Sequence, residues 1–404
     1  DYRACRQLAR EIVDARDGHD FISIALAAGC GAYLTQRAPE GGTAVVVDDT
    51  LAALTELGRH ARARHTGPVI GITGSVGKTS VKDLALAAIG KTRKTHASER
   101  SFNNELGVPL TLFNAPDDAE VLIVEMGARG IGHIAALCEI ANPTIGIVTY
   151  VGAVHTSEFG TVEAIAQAKG ELVEALPASG RAILNADSAP VLAMRSRSQA
   201  PVITYGVGGD FNAVSVTIDA ELRPSFQLVS SGRTYSVSLP VHGVHQVSNA
   251  LAALAAAEAV GVTPSQAIAG LATAGLSRWR MELGHTAGGA VVINDAYNAN
   301  TISTEAALRS LAAIDVAQRF AVLGVMAELG DRHDADHRAM AALCQQLDIQ
   351  LIAYQEPAYG VEVTHDFDAV MAKLGPLNRS NAVLVKGSRI AGLEALADQL
   401  TAYN

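Results

Sequence analysis

Residues 71–80 read GITGSVGKTS, directly after the apolar pair Val69-Ile70 and directly before a helix-like stretch that begins at Val81. A glycine-rich turn between a strand and a helix allows backbone N–H groups to surround phosphate oxygens, and the positive end of the helix dipole strengthens that attraction. In such a loop Lys78 reaches the terminal phosphates and the hydroxyl of Thr79 binds Mg²⁺. The stretch therefore predicts a phosphate-binding loop.

The loop is a short variant of the common phosphate-binding pattern. G-x-x-x-x-G-K-[ST] requires a glycine where this chain has Ile72, and the residues present read Thr-Gly-Ser-x-Gly-Lys-Thr instead. A chance glycine-rich turn is the alternative interpretation. It is disfavoured because a strand, a turn, a Lys-Thr pair and a helix-like stretch all occur in order.

Composition excludes several classes of protein. The net charge of −10 argues against a nucleic-acid partner, which requires a basic face. No apolar run approaches the roughly 18–20 residues of a membrane span, so we expect no membrane insertion. The scattered Cys5, Cys30, Cys138 and Cys344 form no C-x-x-C pair, which favours buried thiols in a reducing cytoplasm over disulfides or a zinc site. No basic and then apolar leader follows Asp1, so we expect no signal peptide.

Three segments differ in their pattern along the 404 residues. Residues 1–66 are expected to form a small, incomplete α/β domain, and their basic run at 59–65 a solvated helix face. Residues 67–276 alternate apolar runs with helical patterns, which predicts a mostly parallel sheet, and the alternation over Phe211–Leu239 predicts antiparallel strands added to it. Residues 277–404 restart the α/β pattern, which predicts a Rossmann-like, doubly wound domain.

Two candidate site residues follow predicted strands of the central segment. Glu125 ends the apolar run Val121–Val124, and α/β sheets bind their ligands at the carboxyl ends of strands. It is either a Mg²⁺ ligand or an exposed carboxylate at a strand end. His155 follows a strand that ends near Tyr150, where a loop histidine is more often structural, and Mg²⁺ prefers oxygen ligands.

Lys169 lies on a mostly apolar helix expected over residues 162–176. Most lysines in such a position extend their charged end into water, and the residues alone favour that interpretation. A functional lysine here would bind phosphate or react with CO₂ to form a carbamate. The carbamate requires a neutral amine, and hence a pKa lowered by burial.

The start of a later helix carries His245 and Asn249. The two residues are four apart and therefore lie on one face of the helix. They would flank a flat base or cap the helix, and the residues alone favour capping slightly.

Two polar turns follow predicted strands of the third segment. The first contains Asp295, Tyr297, Asn298 and Asn300. A turn does not need this many polar residues, which favours a functional role for them. The second contains Lys386, Ser388 and Arg389, before a helix expected over Arg389–Tyr403. Its two cations would hold a carboxylate or a phosphate.

Taken in order, these segments resemble the Mur ligases, the ATP-dependent amide-forming enzymes of peptidoglycan assembly. The motifs that carry the resemblance are DGHDF at 17–21, FNNELGVPLT at 102–111, DAYNAN at 295–300, MAELG at 326–330 and KGSR at 386–389. They are most similar to those of family members that add D-alanyl-D-alanine to UDP-N-acetylmuramoyl-tripeptide. The Asp-Asn-Pro-Arg motif of members that add the third amino acid does not occur.

The resemblance implies a role for each matching residue. ATP phosphates would bind along Thr73, Gly74, Ser75, Val76, Gly77, Lys78, Thr79 and Ser80. The rest of the nucleotide would contact His245, Asn249, Arg280, Asp295 and Tyr297. Two Mg²⁺ ions would be held by Thr79, Glu125, His155 and a carbamylated Lys169, and with Lys78 the last three would be catalytic. Substrate contacts would come from Asn103, Asn104, Asn298, Asn300, Lys386, Ser388 and Arg389.

The resemblance also implies partners and a reaction. The first segment would bind the UDP-tripeptide, the central segment ATP, and the third the D-alanyl-D-alanine acceptor, in a cytoplasmic monomer. Residues 1–16 depart most from the family pattern, and smaller departures are Gln246 and Thr301, where relatives carry Asn and Pro. The alternatives are a Mur ligase of another carboxylate and amine, and a nucleotide-binding paralogue without ligase activity.

Overall fold

The structure is a computed structural model that describes residues 17–152 and 159–402. Within these ranges the chain forms three sheets, and each sheet lies within one of the three predicted segments. The predicted fold class is confirmed: α/β, with a mostly parallel central sheet, antiparallel strands added to it, and a separate third sheet. The segment boundaries after residues 66 and 276 stay predictions.

The strands are short. The first sheet contains β1 (Tyr33–Thr35) and β2 (Ala44–Val46). The nine-stranded sheet contains β3 (Val69–Thr73), β4 (Thr95–Ala97), β5 (Val121–Glu125), β6 (Ile145–Val148), β7 (Arg181–Asn185), β8 (Val202–Tyr205), β9 (Phe211–Ile218), β10 (Pro224–Ser230) and β11 (Arg233–Ser238). The six-stranded sheet contains β12 (Glu282–His285), β13 (Val291–Asn294), β14 (Gln318–Leu323), β15 (Gln350–Tyr354), β16 (Val363–Thr364) and β17 (Asn381–Lys386). Four interior strands of the two large sheets, β3, β5, β6 and β17, are buried at every residue.

Helices cover the sheets. Those of the described ranges are α1 (Ile22–Ala27), α2 (Thr50–Arg64), α3 (Lys78–Gly90), α4 (Gly107–Phe113), α5 (His133–Ala141), α6 (Val162–Glu174), α7 (Ala189–Leu192), α8 (Gln246–Ala259), α9 (Pro264–Leu271), α10 (Thr301–Ala312), α11 (His333–Gln346), α12 (Phe367–Leu374) and α13 (Glu394–Thr401). Short 3₁₀ helices occupy Gly18–Phe21, Ala193–Arg197, Gly330–Arg332, Pro357–Tyr359 and Arg389–Ala391. None of the described helices combines the length and the apolar character needed to cross a membrane.

β3 lies inside the nine-stranded sheet, whose order is β11-β10-β9-β8-β7-β6-β3-β5-β4. It pairs in parallel with β5 and β6, with Ile72 opposite Glu125 and Thr73 opposite Val148. The three strands therefore end at the same edge of the sheet. The strand order reverses beside β3, and α/β sheets bind their ligands in the crevice at such a point.

The six-stranded sheet has the order β12-β13-β17-β14-β15-β16 and is parallel except for β12 at one edge. The sequence did not predict β12, because ELGH at 282–285 lacks an alternating apolar pattern. Asn294 pairs with Val385, and Leu323 with Lys386. The two predicted polar turns and the MAELG motif consequently follow three adjacent strands at one edge.

The packing of α3 fixes the direction in which the phosphate-binding loop faces. One side of the helix is buried in the central core, where Leu84 is fully buried. The Ala-rich α8 and the short α9 lie against it. The approach of α9 is close, because a Cβ on Gly270 would lie 2.3 Å from the carbonyl oxygen of Ala87.

Three expectations about local structure were wrong. Arg62, in the basic run of α2, is not simply solvated: its Nε donates to the carbonyl of Ala141 at 2.7 Å and so joins α2 to the end of α5. The helix expected over Arg389–Tyr403 is interrupted at Gly392, which has a φ of +62°, and α13 begins after it. Cys30 is disulfide-bonded, whereas Cys138 and Cys344 are the buried free thiols that the sequence predicted.

Replacing Leu84 by alanine should lower the free energy of unfolding by about 2–5 kcal/mol, because it leaves a cavity in the central core. Urea unfolding followed by circular dichroism measures this loss. The matched control is Leu57→Ala on α2, where the side chain is 37% exposed. The control should change the free energy by less than about 1 kcal/mol, and an equally small effect of Leu84→Ala would contradict the core assignment.

Candidate active site

The phosphate-binding loop turns sharply between β3 and α3. Gly77 has a φ of +83°, a conformation that side-chain-bearing residues rarely adopt, and α3 begins at the next residue, Lys78. A Cβ on Gly77 would lie 2.7 Å from the Oδ1 atom of Asn249 on α8. Glycine therefore allows the loop to lie against α8, while the unpaired N–H groups at the start of α3 attract an anion.

The segment after β6 holds this loop in place. The amide of Ser75 donates to the carbonyl of Tyr150 at 2.7 Å, and the Thr149 hydroxyl donates to the carbonyl of Val76 at 2.6 Å. Because these bonds use loop carbonyls and one amide, they fix the loop and leave its other amides for a ligand. The loop is thus arranged as a phosphate site before any ligand binds.

Glu125 lies beside Thr79 at the end of β5. Its Oε2 accepts a hydrogen bond from the Thr79 hydroxyl at 2.8 Å, and its Oε1 accepts one from Nδ2 of Asn103 at 2.8 Å. The side chain is only 1% exposed, so the alternative of a solvated strand-end carboxylate is wrong. A hydroxyl and a carboxylate in contact, both oxygen donors, fit the ligands that Mg²⁺ prefers.

Two lysines lie close to this pair. The Nζ atom of Lys78 donates to the carbonyl of Gly74 at 2.8 Å, and burial lowers its pKa while the charge of Glu125 opposes that shift. Lys169 is 2% exposed, so the expectation of a side chain extended into water is wrong. Burial, with a smaller effect from the charge of Lys78, lowers the pKa of Lys169 to about 7. A substantial fraction of its amine is therefore neutral at physiological pH.

Arg280 reaches the loop from the third segment. Its Nη2 donates to the Thr79 hydroxyl at 2.9 Å, and its guanidinium lies 4.1 Å from the centre of the Tyr297 ring. The ring also positions Ser101, whose hydroxyl is hydrogen-bonded to the Tyr297 hydroxyl. The Nε atom of Arg280 is buried and has no hydrogen-bond partner in the described structure. An unpaired, charged donor beside a phosphate loop suits an anionic ligand.

Asp295 and Lys386 form a buried ion pair. Nζ of Lys386 lies 2.5 Å from Oδ2 of Asp295 and also donates to the carbonyl of Asn298 at 2.9 Å. The other oxygen of Asp295 accepts the amide of Met281 at 3.0 Å. The pair joins the two polar turns to the start of β12, and Lys386 is only 1% exposed. Its charge is consequently already balanced.

His245 and Asn249 face the cleft from the start of α8. His245 makes no side-chain capping bond, so the capping alternative is wrong for it. Its Nδ1 atom is buried without a partner among the described residues, and burial lowers its pKa. Asn249 donates to the side-chain oxygen of Gln246 at 2.9 Å. A neutral imidazole and an amide on one face match the polar edge of a flat base.

Three of the seven predicted substrate residues, Asn104, Asn298 and Asn300, form hydrogen bonds within their own turns. Asn104 accepts the amide of Gly107 at 2.9 Å and caps α4, and Asn300 accepts the amide of Ser303 at 2.9 Å and caps α10. Asn298 accepts the amide of Ala299, also at 2.9 Å. These bonds show that turn formation accounts for some of the polar residues in the DAYNAN motif.

One cleft of about 740 Å³ collects residues from the nine-stranded and six-stranded sheets. The predicted residues that line it are Ser75, Val76, Gly77, Lys78, Thr79, Ser80, Asn103, Glu125, His245, Asn249, Arg280, Asp295, Tyr297, Asn298, Asn300, Lys386 and Arg389. The predicted residues outside its lining are Thr73, Gly74, Asn104, Lys169 and Ser388. His155 lies outside the described residues.

Glu328 is among the cleft residues to which the sequence assigned no role. It lies in the MAELG motif and has a φ of +68°, and its charge acts on Lys78 across the cleft. A signal was present, because the motif contributed to the resemblance. Nothing local, however, indicates that a glutamate between two apolar residues faces a nucleotide site.

His333, His337 and Glu356 form a second polar group, with ligand atoms within 4.8 Å of one another. Both ring nitrogens of His337 are in use, however. Its Nδ1–H donates to the carbonyl of His333 at 2.6 Å, and its Nε2 accepts the amide of Met326 at 3.0 Å. No lone pair of His337 remains for a metal, and burial lowers its pKa, which keeps the ring neutral. The group instead fixes the turn that carries the MAELG motif.

Comparison with known families agrees with this arrangement. The Mur ligase middle domain matches residues 72–257, and the Mur ligase, glutamate ligase domain matches residues 279–389. The chain belongs to the Mur ligase family. The two matched regions contain all of the described cleft residues, so the site of this Mur ligase lies between its middle and glutamate ligase domains.

Named relatives extend the comparison to almost the whole chain. The UDP-N-acetylmuramoyl-tripeptide–D-alanyl-D-alanine ligase of Mycobacterium tuberculosis is 39% identical over 96% of this chain and 88% of the relative. The enzyme of the same name from Escherichia coli is 31% identical over 95% of this chain and 88% of the relative. Among solved structures, MurF from Acinetobacter baumannii has a TM-score of 0.86 at 27% identity, covering 97% of this chain and 89% of that chain. MurF from Thermotoga maritima in complex with ADP has a TM-score of 0.84 at 26% identity, covering 97% of this chain and 93% of that chain.

Replacing Gly77 by alanine should weaken the binding of ATP to this Mur ligase at least tenfold, or by about 1.4 kcal/mol. The added methyl group strains the loop and displaces Asn249. Calorimetric titration measures the affinity. The matched control is Gly132→Ala, because Gly132 has a similar φ of +89° with nothing within 4 Å of the added Cβ. Equal affinities of the two variants would show that the contact with Asn249 is irrelevant.

Proposed function

We propose that this Mur ligase uses ATP to join D-alanyl-D-alanine to UDP-N-acetylmuramoyl-tripeptide. The observation that carries the proposal is the contact of Arg280 with Thr79 across the cleft, which places a glutamate-ligase-domain cation directly on the phosphate loop. A ligase of this type needs its nucleotide held from both sides. The relatives with this named activity from Mycobacterium tuberculosis and Escherichia coli match 96% and 95% of this chain.

The reaction has two steps. A carboxylate is a poor acyl donor, so a carboxylate oxygen of the tripeptide attacks the γ-phosphorus of ATP, the bond to the bridging oxygen breaks, and ADP leaves with its electron pair. The acceptor amine then attacks the carbonyl carbon of the acyl phosphate, inorganic phosphate leaves, and the amine proton passes to solvent. Each step brings negative charges together, so electrostatic stabilisation is the main task of the site.

The residues of the cleft suit that task. Lys78 lies in the phosphate loop and Arg280 reaches Thr79 from the third segment, and their positive charges oppose the repulsion between the tripeptide carboxylate and the triphosphate. Thr79 and Glu125 would hold Mg²⁺, which when bound neutralises phosphate charge and orients the terminal phosphate. His245 and Asn249 would contact the adenine, and Tyr297 would hold Arg280 in position.

We further propose that Lys169 is carbamylated and, with His155, holds a second Mg²⁺ ion. The burial of Lys169 and its pKa of about 7 support this, because the neutral amine is the form that reacts with CO₂. The neutral amine attacks the carbon of CO₂, a nitrogen–carbon bond forms as one carbon–oxygen π bond breaks, and the nitrogen loses one proton to solvent. The neutral side chain thereby becomes an anion with two oxygen donors. Oxygen donors are what Mg²⁺ requires.

Incubation with ATP, Mg²⁺, UDP-N-acetylmuramoyl-tripeptide and D-alanyl-D-alanine should release phosphate only when the dipeptide is present. Lys78→Ala should lower this rate by about 10²–10³-fold, because it removes a charge that stabilises the transition state. A coupled phosphate assay measures both rates. Absence of dipeptide-dependent phosphate release by the unmodified protein would reject the proposed function.

Incubation with ¹³C-labelled bicarbonate should give a carbamate signal in the NMR spectrum that is absent from Lys169→Ala. The neutral fraction of Lys169 falls as the pH drops below its pKa of about 7, so the signal should weaken between about pH 8 and pH 6. Lys169→Ala should also lose ligase activity, which a short carboxylic acid should partly restore. A wild-type rate in this variant would refute the carbamate.

A matched control uses the other buried lysine on a helix near the loop. Lys82 is 3% exposed, but its Nζ atom donates to the carbonyls of Ser98 and Arg100 at 2.8 Å and pairs with Asp83 at 3.1 Å. These contacts use all three N–H donors of its Nζ atom, so that atom is not available to react with CO₂. Lys82→Met should therefore leave the carbamate signal unchanged. Loss of the signal in this variant would show that it does not come from Lys169.

A further inference from the structure

The segment that carries Arg280 is attached to the phosphate-loop helix at a second point. Asp83 lies four residues after Thr79 on α3, so the two side chains share one face of the helix. Oδ2 of Asp83 accepts the backbone amide of Ser277 at 2.7 Å and the Ser277 hydroxyl at 2.8 Å. Ser277 and Arg280 are three residues apart, so successive turns of one helix face hold both ends of this short segment.

The backbone around Arg280 is strained. Trp279 and Met281, on either side of it, have φ values of +62° and +53°, which are uncommon for residues of this size. The third segment fixes both, because the carbonyl of Trp279 accepts the amide of Tyr297 at 3.2 Å and the amide of Met281 donates to the aspartate of the DAYNAN motif at 3.0 Å. Strain of this kind persists where surrounding bonds enforce it. The direction of Arg280 therefore depends on bonds at both ends of the segment, and Asp83 holds its first residue.

Asp83 is itself fixed by its neighbour on the helix. Its Oδ1 lies 3.1 Å from Nζ of Lys82, and the side chains of Lys82 and Asp83 are only 3% and 12% exposed. Lys82 also donates to the carbonyls of Ser98 and Arg100, both at 2.8 Å. Because one oxygen of Asp83 is paired with Lys82 and the other with Ser277, the carboxylate is held in one orientation.

Lys82 supports the other side of Arg280 as well. The loop whose carbonyls it holds continues into Ser101, and the Ser101 hydroxyl is hydrogen-bonded to that of Tyr297. The Tyr297 ring lies against the guanidinium of Arg280, with 4.1 Å to the ring centre. Adjacent residues of α3 therefore reach Arg280 by two routes, along the chain through Ser277 and across the cleft through the aromatic ring.

We propose that Asp83 is a positioning residue, which directs Arg280 onto the phosphate loop by fixing Ser277. This inference rests on the proposed function, in which the charge of Arg280 opposes the repulsion between the triphosphate and the tripeptide carboxylate. Asp83 does not line the cleft, so it contacts neither substrate and acts on the reaction through Arg280.

A double-mutant cycle on the ligation rate tests whether Asp83 acts through Arg280. Asp83→Ala should lower kcat by at least about tenfold, because it removes both bonds to Ser277 and frees the strained segment. In the Arg280→Ala protein the same change should lower kcat by less than about threefold, since no charge is left to position. The coupled phosphate assay at saturating substrates measures all four proteins. Losses of equal size in the two backgrounds would show that the residues act independently, and would overturn the inference.

Fluorescence gives a second readout that needs no substrate. Trp279 is the only tryptophan of the chain, and it precedes Arg280 directly, so its emission reports on this segment. Its indole nitrogen is buried, and the guanidinium of Arg389 lies 4.3 Å from the centre of its ring. In Asp83→Ala the emission should shift to longer wavelength and acrylamide should quench it more strongly, because the freed segment exposes the ring to water. Unchanged emission and quenching would overturn the inference.

The matched control is Asp210→Ala. Asp210 likewise accepts the backbone amide and the hydroxyl of a single residue, Thr204, both at 2.8 Å, but it lies outside the cleft lining. This control should change neither kcat nor the emission of Trp279. A loss of kcat as large as that of Asp83→Ala would show a general effect of such bonds on the fold, and would count against positioning.

Ser277→Ala provides a milder change from the other side of the contact. It removes the hydroxyl bond to Asp83 and keeps the amide bond, so kcat should fall by at least about twofold and by less than in Asp83→Ala. The loss should disappear in the Arg280→Ala background. This variant replaces Asp83→Ala in the cycle if circular dichroism shows that Asp83→Ala does not fold, and a loss that persists without Arg280 would overturn the inference.

The outcomes distinguish failure of this inference from failure of the proposed function. If the wild-type protein shows no dipeptide-dependent phosphate release, the proposed function fails, and the emission of Trp279 alone decides the inference. If the wild-type protein is active and Asp83→Ala has the same kcat, the inference fails while the proposed function stands. If Asp83→Ala raises KM for ATP and leaves kcat unchanged, Asp83 acts on nucleotide binding, and the inference fails again.

Discussion

The hydroxyl of Thr79 is the point on which the site depends. It donates to Glu125 at the end of β5 and accepts from Arg280, which belongs to the chain that leads into the six-stranded sheet. A hydroxyl has one proton, so the bond to Glu125 fixes the direction of its lone pairs and makes it an acceptor for the guanidinium. One small side chain therefore joins the phosphate loop, the candidate Mg²⁺ ligand and the third segment.

The sequence predicted the parts of the site that are encoded locally. The phosphate loop requires a strand, glycines that permit positive φ and a helix start, and all three are contiguous in residues 69–81. The position of Glu125 follows from the apolar run before it. The central and third sheets were predictable for the same reason, since their buried strands are short apolar runs bounded by polar turns.

What the sequence did not predict depends on contacts between distant segments. Glu328 enters the cleft because a buried histidine nine residues later and a serine in another loop hold its turn. Arg62 joins two helices through a hydrogen bond because α2 meets the end of α5, although its neighbours in sequence suggest a solvated helix. No local pattern distinguishes Asn300, which caps a helix, from Asn103, which binds the Glu125 carboxylate.

Charge balance links the phosphate loop to Lys169. Lys78 and Lys169 are close enough for the charge of one to lower the pKa of the other, and burial removes the water that would screen them. Two protonated lysines at such a site repel each other, so the neutral form of Lys169 is favoured before any ligand is present. The carbamate proposed for Lys169 goes one step further, because it replaces that repulsion by attraction to Lys78 and supplies oxygen donors beside the nucleotide. Burial lowers the pKa of both lysines, but the charge of Glu125 opposes that shift at Lys78 alone, so Lys78 is favoured as the lysine that keeps its charge for the phosphates.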